Sequence, residues 1–411
     1  MKKWLILLAL FVLMPVTALA GGYRVALQGA RMLGMAHAGS AVFGGAESAF
    51  FNPAGIGFGA EDNAFALGVS PVISKVKYQN AQYLWTAQTH NPVGTPVYAY
   101  YTHKISDVFY LGLALYTPFG STVKWDKDWV GSHLVNEISL RAFFFQPSFV
   151  IKPSDYFSIA VSFIAASGSI SYNKNINRFM TDGQGNRTDI TLEAKDAAGA
   201  GFGISVAIRP SEKVSLGFNY RSTVWLRSRY GVATINDNPG FLPEHDHFSA
   251  TLPMPAEMSL GLAFRSVDKL LITMELDEVF WSVYKSLDID FGHLPDTRMA
   301  KNWENSFTYR IGAEYTLNEH LQVRAGYYYD ESPIPATYFA PDTPSLDSNN
   351  WTFGFTYKMG KLSVDAALLY KTEKERSDSY DYYIEGMSAP RFSGSYVANA
   401  IVPSFGIQYQ F

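Results

Sequence analysis

Apolar and small or polar side chains alternate with period two along nearly all of this chain, and the run Val402 to Phe411 shows the pattern in its simplest form. Pro403, Phe405, Ile407, Tyr409 and Phe411 fall on one face of an extended strand; Ser404, Gly406, Gln408 and Gln410 fall on the other. A strand that meets lipid on one side and a polar lumen on the other reads this way, with an aromatic at the interface. A soluble sheet alternates too, but it rarely ends flush on an aromatic carboxy-terminus. The constraint is severe, because in hydrocarbon every backbone donor and acceptor must be paired internally. For strands that leaves a closed barrel.

The first twenty residues carry a separate signal. Lys2 and Lys3 precede an apolar run from Trp4 to Met14, and Ala18-Leu19-Ala20 offers a small-residue cleavage site before Gly21. That is the layout of an export signal, too short in its apolar part to span a bilayer as a helix. Its removal from 411 residues leaves 391, with 31 Lys and Arg against 37 Asp and Glu, a net charge of −6. No later segment has the roughly 18 apolar residues of a membrane helix. The chain has no cysteine, which excludes disulfides and thiolate chemistry. Mild acidity without basic clusters gives no support to nucleic-acid binding. Export without a helical anchor, together with the alternation, points to the outer membrane of a Gram-negative cell.

Short polar breaks count the strands. Ile105-Ser106-Asp107, Lys152-Pro153-Ser154-Asp155, Pro210-Ser211-Glu212-Lys213, Ser266-Val267-Asp268, Asn318-Glu319-His320 and Met359-Gly360-Lys361 each join two alternating runs. Six turns account for twelve strands, and a strand near 63–75 plus the terminal one make fourteen. The predicted fold is all-β, a fourteen-stranded antiparallel transmembrane barrel, with both ends on the periplasmic side of the short turns. The faces read directly. Phe157, Ile159, Val161 and Phe163 are set for lipid, and Ser158, Ala160 and Ser162 for the lumen; Leu260, Leu262 and Phe264 alternate with Gly261, Ala263 and Arg265.

The remaining connections, near 76–95, 118–137, 173–187, 231–245, 291–304, 331–349 and 375–399, are expected as long irregular extracellular loops. Trp125 and Trp129, Phe241 and Leu242, and Ile334, Tyr338 and Phe339 put apolar surface at the mouth of the barrel. Two readings stay open: the loops pack on one another, or they form a capture site for an apolar solute.

Residues 21–60 break the alternation. Ten glycines, from Gly21 to Gly59, make the stretch small, and Asn52-Pro53-Ala54 marks a turn near its end. It cannot be a lipid-facing strand. A barrel of about fourteen strands is too wide for wall side chains alone to fill, so the segment is expected inside the lumen as a hatch. Phe43, Phe50, Phe51 and Ile56 argue against a solvated leader. The expected organisation is therefore a signal peptide at 1–20, a hatch at 21–60 and a barrel at 61–411.

These pieces resemble the long-chain fatty-acid outer-membrane transporter family, the FadL/TodX type. The matching residues are Gly22-Tyr23, the stretch Gly29-Ala30-Arg31 to Gly39, and Phe50-Phe51-Asn52-Pro53-Ala54-Gly55. Further along come Leu252-Pro253 through Glu257-Met258-Ser259-Leu260-Gly261, then Arg324-Ala325-Gly326-Tyr327 with Ser332-Pro333-Ile334-Pro335. Order and spacing match across essentially the whole mature chain. The resemblance implies a hatch-plugged barrel that binds hydrophobic molecules at extracellular loops, passes them to a pocket beside the hatch and releases them sideways into the membrane. It implies no cofactor and a monomer whose surroundings are outer-membrane lipid and lipopolysaccharide.

A fatty acid needs apolar wall for its tail and a cation for its carboxylate, for which Arg is suited by its two-pronged geometry. Strand parity puts Arg209, Arg221, Arg265, Arg310 and Arg324 on the lumen side, along with Glu275, Asp277, Glu314 and Asp365. Arg310 and Arg324 are candidate carboxylate ligands, and mutual bracing by ion pairs is the competing reading. Arg141, among Phe143, Phe144 and Phe145, combines cation and apolar surface, with its side left open because both parities are apolar. Tyr23 sits where the family has an aromatic touching ligand, and Phe51 joins the candidates from the hatch. The family's Pro-Asp-Thr-Asp-Arg-type run is here Pro341-Asp342-Thr343-Pro344 without an arginine, which implies a preference for less charged solutes.

His245-Asp246-His247 is expected to be solvated rather than a metal site. No nucleophile elbow appears, so no catalytic residue is assigned. The readings in competition are a fatty-acid channel, an aromatic or alkane hydrocarbon channel of the same fold, a general diffusion porin and a lipid-acting enzyme.

Overall fold

The computed structural model describes residues 21–411 apart from 268, 382, 385, 386 and 389–391, so the expected leader at 1–20 and Asp268 of one expected turn lie outside the described residues. Fourteen antiparallel strands close into a barrel. They are β1 (Asn63–Val69 and Ile73–Asn80), β2 (Val97–Lys104), β3 (Phe109–Lys124), β4 (Glu137–Ser154), β5 (Phe157–Asn175), β6 (Asp189–Ser211) and β7 (Val214–Arg221 and Val224–Asn236). The second half comprises β8 (His245–Met254 and Glu257–Val267), β9 (Leu270–Val279 and Ser286–Phe291), β10 (Ser306–Thr316), β11 (Leu321–Asp330), β12 (Ser348–Met359), β13 (Leu362–Glu373 and Arg376–Tyr380) and β14 (Phe392–Gln410). Each strand pairs with its chain neighbours. Leu67 of β1 lies opposite both Ala99 of β2 and Ile407 of β14, which closes the sheet on itself.

Alternation explains the two surfaces. On β14, Phe405, Ile407 and Tyr409 are exposed outward, whereas Ser404 and Gln408 are buried inward. The same holds on β5 for Ile159, Val161 and Phe163 against Ser158, Ala160 and Ser162. Apolar outside and polar inside inverts a soluble core, and lipid is the solvent that makes it favourable.

Several strands run further than their polar sequence indicates. β5 has 19 residues and β6 has 23, about twice the 9–11 that cross a bilayer. Stretches expected as loops, such as 118–124, 231–236 and 392–399, are ladder instead. The upper ladders carry polar cross-strand pairs. Asn173 donates to Asp189 at 2.7 Å and Thr191 at 2.8 Å, and Asn236 donates to Asp189 at 2.6 Å. Polar residues on both faces look like loop in a sequence, yet above the membrane both faces meet water and the strands continue.

Residues 21–60 lie inside the barrel. They contain two short helices, α1 (Ala30–Leu33) and α2 (Ser48–Phe51), then a 3-10 helix, Pro53–Phe58. Ala36 N donates to Thr352 Oγ1 of β12, Ser40 N to Glu275 of β9 and Ala54 N to Ser205 Oγ of β6. Wall glycines make room for this backbone. A Cβ on Gly217 of β7 would stand 1.8 Å from Ser40 O, and one on Gly312 of β10 would stand 2.4 Å from Met35 O. Neither position accepts a side chain while the segment is in place.

Candidate functional site

Two arginines of the amino-terminal segment meet the wall's carboxylates. Arg24 binds Glu257 at 2.7 Å and Asp277 at 3.0 Å, and Arg310 of β10 binds Asp277 at 2.8 Å. Arg31 binds Glu314 at 3.0 Å, and Arg324 of β11 binds the same carboxylate at 2.8 Å. Asp365 accepts from Gln408 at 2.7 Å and from Thr356. Arg310 also donates to Ala36 O at 3.0 Å. Both candidate arginines are buried and engaged with acids, the bracing arrangement. In a low-dielectric interior such charges need each other, since an uncompensated one is costly.

The Asn-Pro-Ala turn is tied in the same way. Asn52 Nδ2 donates to Ser40 O at 2.8 Å and Val206 O at 3.0 Å, coupling two parts of the segment to β6. Pro53 opens the 3-10 helix and Ala54 follows within it. Phe51 is buried edge-on to His37 at 4.6 Å and to Phe50 at 4.9 Å.

Higher in the barrel the amino-terminal segment repairs a fault in the wall. Pro118 interrupts β3, because it lacks an N–H and the register with β4 shifts between Tyr116 and Phe119. The freed groups turn to the segment: Val25 N donates to Pro118 O at 2.7 Å, Gly120 N to Tyr23 O at 3.0 Å and Gln28 Nε2 to Thr117 O at 2.8 Å.

Tyr23 stands beside this fault. Its hydroxyl donates to Pro253 O, and its ring packs on Trp281 at 4.6 Å, Trp303 at 5.7 Å, Tyr284 at 6.0 Å and Phe119 at 6.1 Å. Trp281 is held by a turn of 3-10 helix, Trp281–Val283, that divides β9. The indole Nε1 atoms of Trp281 and Trp303 are buried donors without an acceptor among the described residues. Close in sequence to Trp303, Lys301 forms a buried ion pair with Asp342 at 2.7 Å, so the arginine-free 341–344 run supplies an acid that takes up a buried lysine.

The extracellular aromatics are sorted by their burial. Trp125 and Trp129 stack at 4.3 Å, Tyr78 and Phe392 stack at 5.1 Å, and Trp125 Nε1 donates to Pro341 O at 3.1 Å. Ile334 and Phe339 are buried as well, which is loop packing, whereas Phe241 stays exposed. Asp246, expected to be solvated, is buried instead. It accepts from His293 N at 2.8 Å, Leu294 N at 2.7 Å and His293 Nδ1 at 3.0 Å. Burial alone would raise its pKa, but these donors hold it well below the usual carboxylate range.

Arg141 requires a correction. It is exposed on the outward parity of β4 with Phe143 and Phe145, while Leu140, Ala142 and Phe144 face inward. An outward arginine cannot reach a solute in the lumen. Sequence reasoning also missed Trp281, Tyr284, Trp303 and Lys301. Their one signal was the failure of alternation after Val279, in Phe280-Trp281-Ser282-Val283-Tyr284.

A lipid-facing barrel whose bore is filled by its own amino-terminal segment, with an aromatic cluster beside a fault in the wall, defines an outer-membrane transport channel. Residues 11–411 match the outer membrane protein transport protein family (OMPP1/FadL/TodX), and the chain belongs to it. Among curated relatives, a putative outer membrane protein of Neisseria meningitidis serogroup B is 23% identical, with 91% of this chain and 92% of that protein covered. Among solved structures, a Pseudomonas aeruginosa FadL homologue aligns with a TM-score of 0.84 at 20% identity, covering 95% of this chain and all of that one. The Pseudomonas putida toluene transporter TodX aligns with a TM-score of 0.72 at 16% identity, covering 95% and 99%. The protein is an outer-membrane channel for hydrophobic compounds.

Proposed function

We propose that the protein takes up long-chain fatty acids. The loops capture the molecule, residues 21–60 act as a hatch, and the Tyr23 cluster receives it before it leaves sideways through the interruption of β3 at Thr117 and Pro118. Residues 1–20 serve as the export signal and 61–411 as the wall. The two unpaired indole donors of Trp281 and Trp303 carry this reading. A buried donor without an acceptor costs free energy, and a carboxyl head offers two acceptor oxygens while the tail gains about 0.8 kcal/mol per buried methylene. Lys301, close to Trp303 in sequence, is ion-paired with Asp342, so a carboxylate head would have to share it. Arg310 and Arg324 brace wall and hatch instead of holding ligand.

A neutral aromatic hydrocarbon is the second reading, favoured by the pairing of Arg24, Arg310, Arg324 and Lys301 with carboxylates. Calorimetric titration of the purified protein with palmitate, methyl palmitate and toluene separates the two. Palmitate preference that Lys301→Met removes supports the first reading. Toluene binding with no response to either palmitate species overturns it.

A further inference from the structure

The outer wall is not uniform around the barrel. On β4 the outward residues run Phe149, Pro147, Phe145 and Phe143 before the first charge, Arg141; on β7 Trp225 is followed by Arg227 and Arg229. Between these strands the outward positions are small. The ladders place Phe143 opposite Ser167, Ser167 opposite Ala198 and Ala198 opposite Arg227. One step lower, Phe145 lies opposite Ala165 and Ala165 opposite Ala200. The result is a shallow shelf floored by β5 and β6, with arginines on its two sides. Three inter-strand spacings and a step of two residues along β4 put the backbones of Arg141 and Arg227 about 16 Å apart.

These cations are free to act. Arg141, Arg227 and Arg229 are exposed, and their guanidinium groups form no ion pair with any described carboxylate. Lys195 on β6 is held by Glu193 at 2.9 Å, and Asp196 is occupied by Ser228 Oγ at 2.5 Å and Arg229 N at 3.2 Å. Four cations against two acids leave the shelf net positive. The other side of the barrel is mixed in charge: Glu278 on β9 accepts from Asn305, and Asp347 before β12 pairs with Lys374 at 3.9 Å. Trp225, at the lower edge, marks the boundary between hydrocarbon and headgroup.

We propose that this shelf is a binding site for a phosphorylated glycolipid of the outer leaflet. The sugar lies over Ser167, Ser169 and Ala198, Arg141 takes one phosphate, and Arg227 with Arg229 takes a second. Guanidinium binds phosphate through two parallel N–H groups, and clusters of basic residues at a membrane surface select anionic lipid. The acyl chains lie against Phe143, Phe145 and Phe202 below. An unphosphorylated lipid gains nothing from the arginines.

Native mass spectrometry of the mature protein with added diphosphoryl lipid A and its dephosphorylated form tests the site. Wild-type protein is expected to retain the diphosphoryl lipid at least tenfold better. The triple variant Arg141→Gln, Arg227→Gln, Arg229→Gln loses that preference, as does Ser167→Trp, which fills the shelf with every cation in place; Glu278→Gln on the far wall keeps it. All these side chains face outward, so heat-modifiable migration of each variant verifies the barrel independently. Equal retention of both lipids by wild type, or an unchanged preference in both the triple variant and Ser167→Trp, overturns the proposal. So does full displacement of the lipid by inorganic phosphate, which would assign the arginines to a free anion.

Discussion

Arg24 and Arg310 bind the same oxygen, Oδ2 of Asp277, one from the amino-terminal segment at 3.0 Å and one from β10 at 2.8 Å. Arg31 and Arg324 repeat the arrangement on Oε2 of Glu314, at 3.0 and 2.8 Å. In both places the wall acid keeps a wall arginine if the segment's arginine departs. Asp277→Asn should therefore be far more damaging than Arg24→Gln, because it strands the buried Arg310, which has no other acid among the described residues, and leaves Arg24 with Glu257 alone. Breaking a buried pair costs about 3–5 kcal/mol. Thermal unfolding followed by heat-modifiable migration checks the order, and equal melting of the two variants would refute the shared-acid account.

Gly217→Ala should leave the barrel able to insert while expelling the segment from its seat, since the new Cβ meets Ser40 O at 1.8 Å. The expected signs are protease cleavage within 21–60 and an added ionic conductance in planar bilayers. Asn52→Ala acts in the same direction but more mildly, at about 1–3 kcal/mol for the groups left unpaired.

Pro118→Val restores an N–H and relaxes φ at the fault in β3. If the interruption is the exit, uptake of hydrophobic solute should fall several-fold. Stability should stay level or rise by about 1 kcal/mol for a recovered hydrogen bond. A melting temperature that rises with uptake unchanged would place the exit elsewhere.

His133, in the loop between β3 and β4, accepts from Arg178 at 3.1 Å. Burial, reinforced by the cationic Arg178 and Lys174, lowers its pKa to about 3. Because the folded value is below the ordinary one near 6.5, the unfolded loop binds more protons between them, and the loop loses stability as pH falls through that window. Between pH 7 and 5 the loss should be about 1 kcal/mol, allowing for solvent screening of a half-buried ring. Hydrogen exchange of residues 125–136 at the two pH values reads it, and His133→Asn should flatten the response.

Period two with six polar turns was enough to read fourteen strands and the lipid-facing side of β5, β8 and β14, because one face of each meets a single solvent. It failed at Phe143-Phe144-Phe145, where both parities are apolar: lipid lies outside and Tyr116 and Phe119 pack inside, with Phe144 5.8 Å from Tyr116 and 6.0 Å from Phe119. Lumen arginines were recognisable by parity, but their partners were not, since the Arg24–Asp277 and Arg31–Glu314 pairs join residues 253 and 283 positions apart. Long-range pairing is set by how the segment threads the bore. Trp281 and Trp303 lay beyond reach for a similar reason, gathered around Tyr23 by a break in β9 and a distant loop.

The overhang of β5 and β6 has a consequence for where a solute is met. On β6 the residues from Asp189 to Lys195 carry the ladder beyond the lipid-facing stretch, and a tilted strand of that length rises roughly 15 Å. The cell surface outside the leaflet is a hydrated polysaccharide brush, through which a greasy molecule diffuses poorly. A collar of this height sets the mouth of the bore out from the base of that brush, so a solute that enters at the rim has less of the polysaccharide to cross.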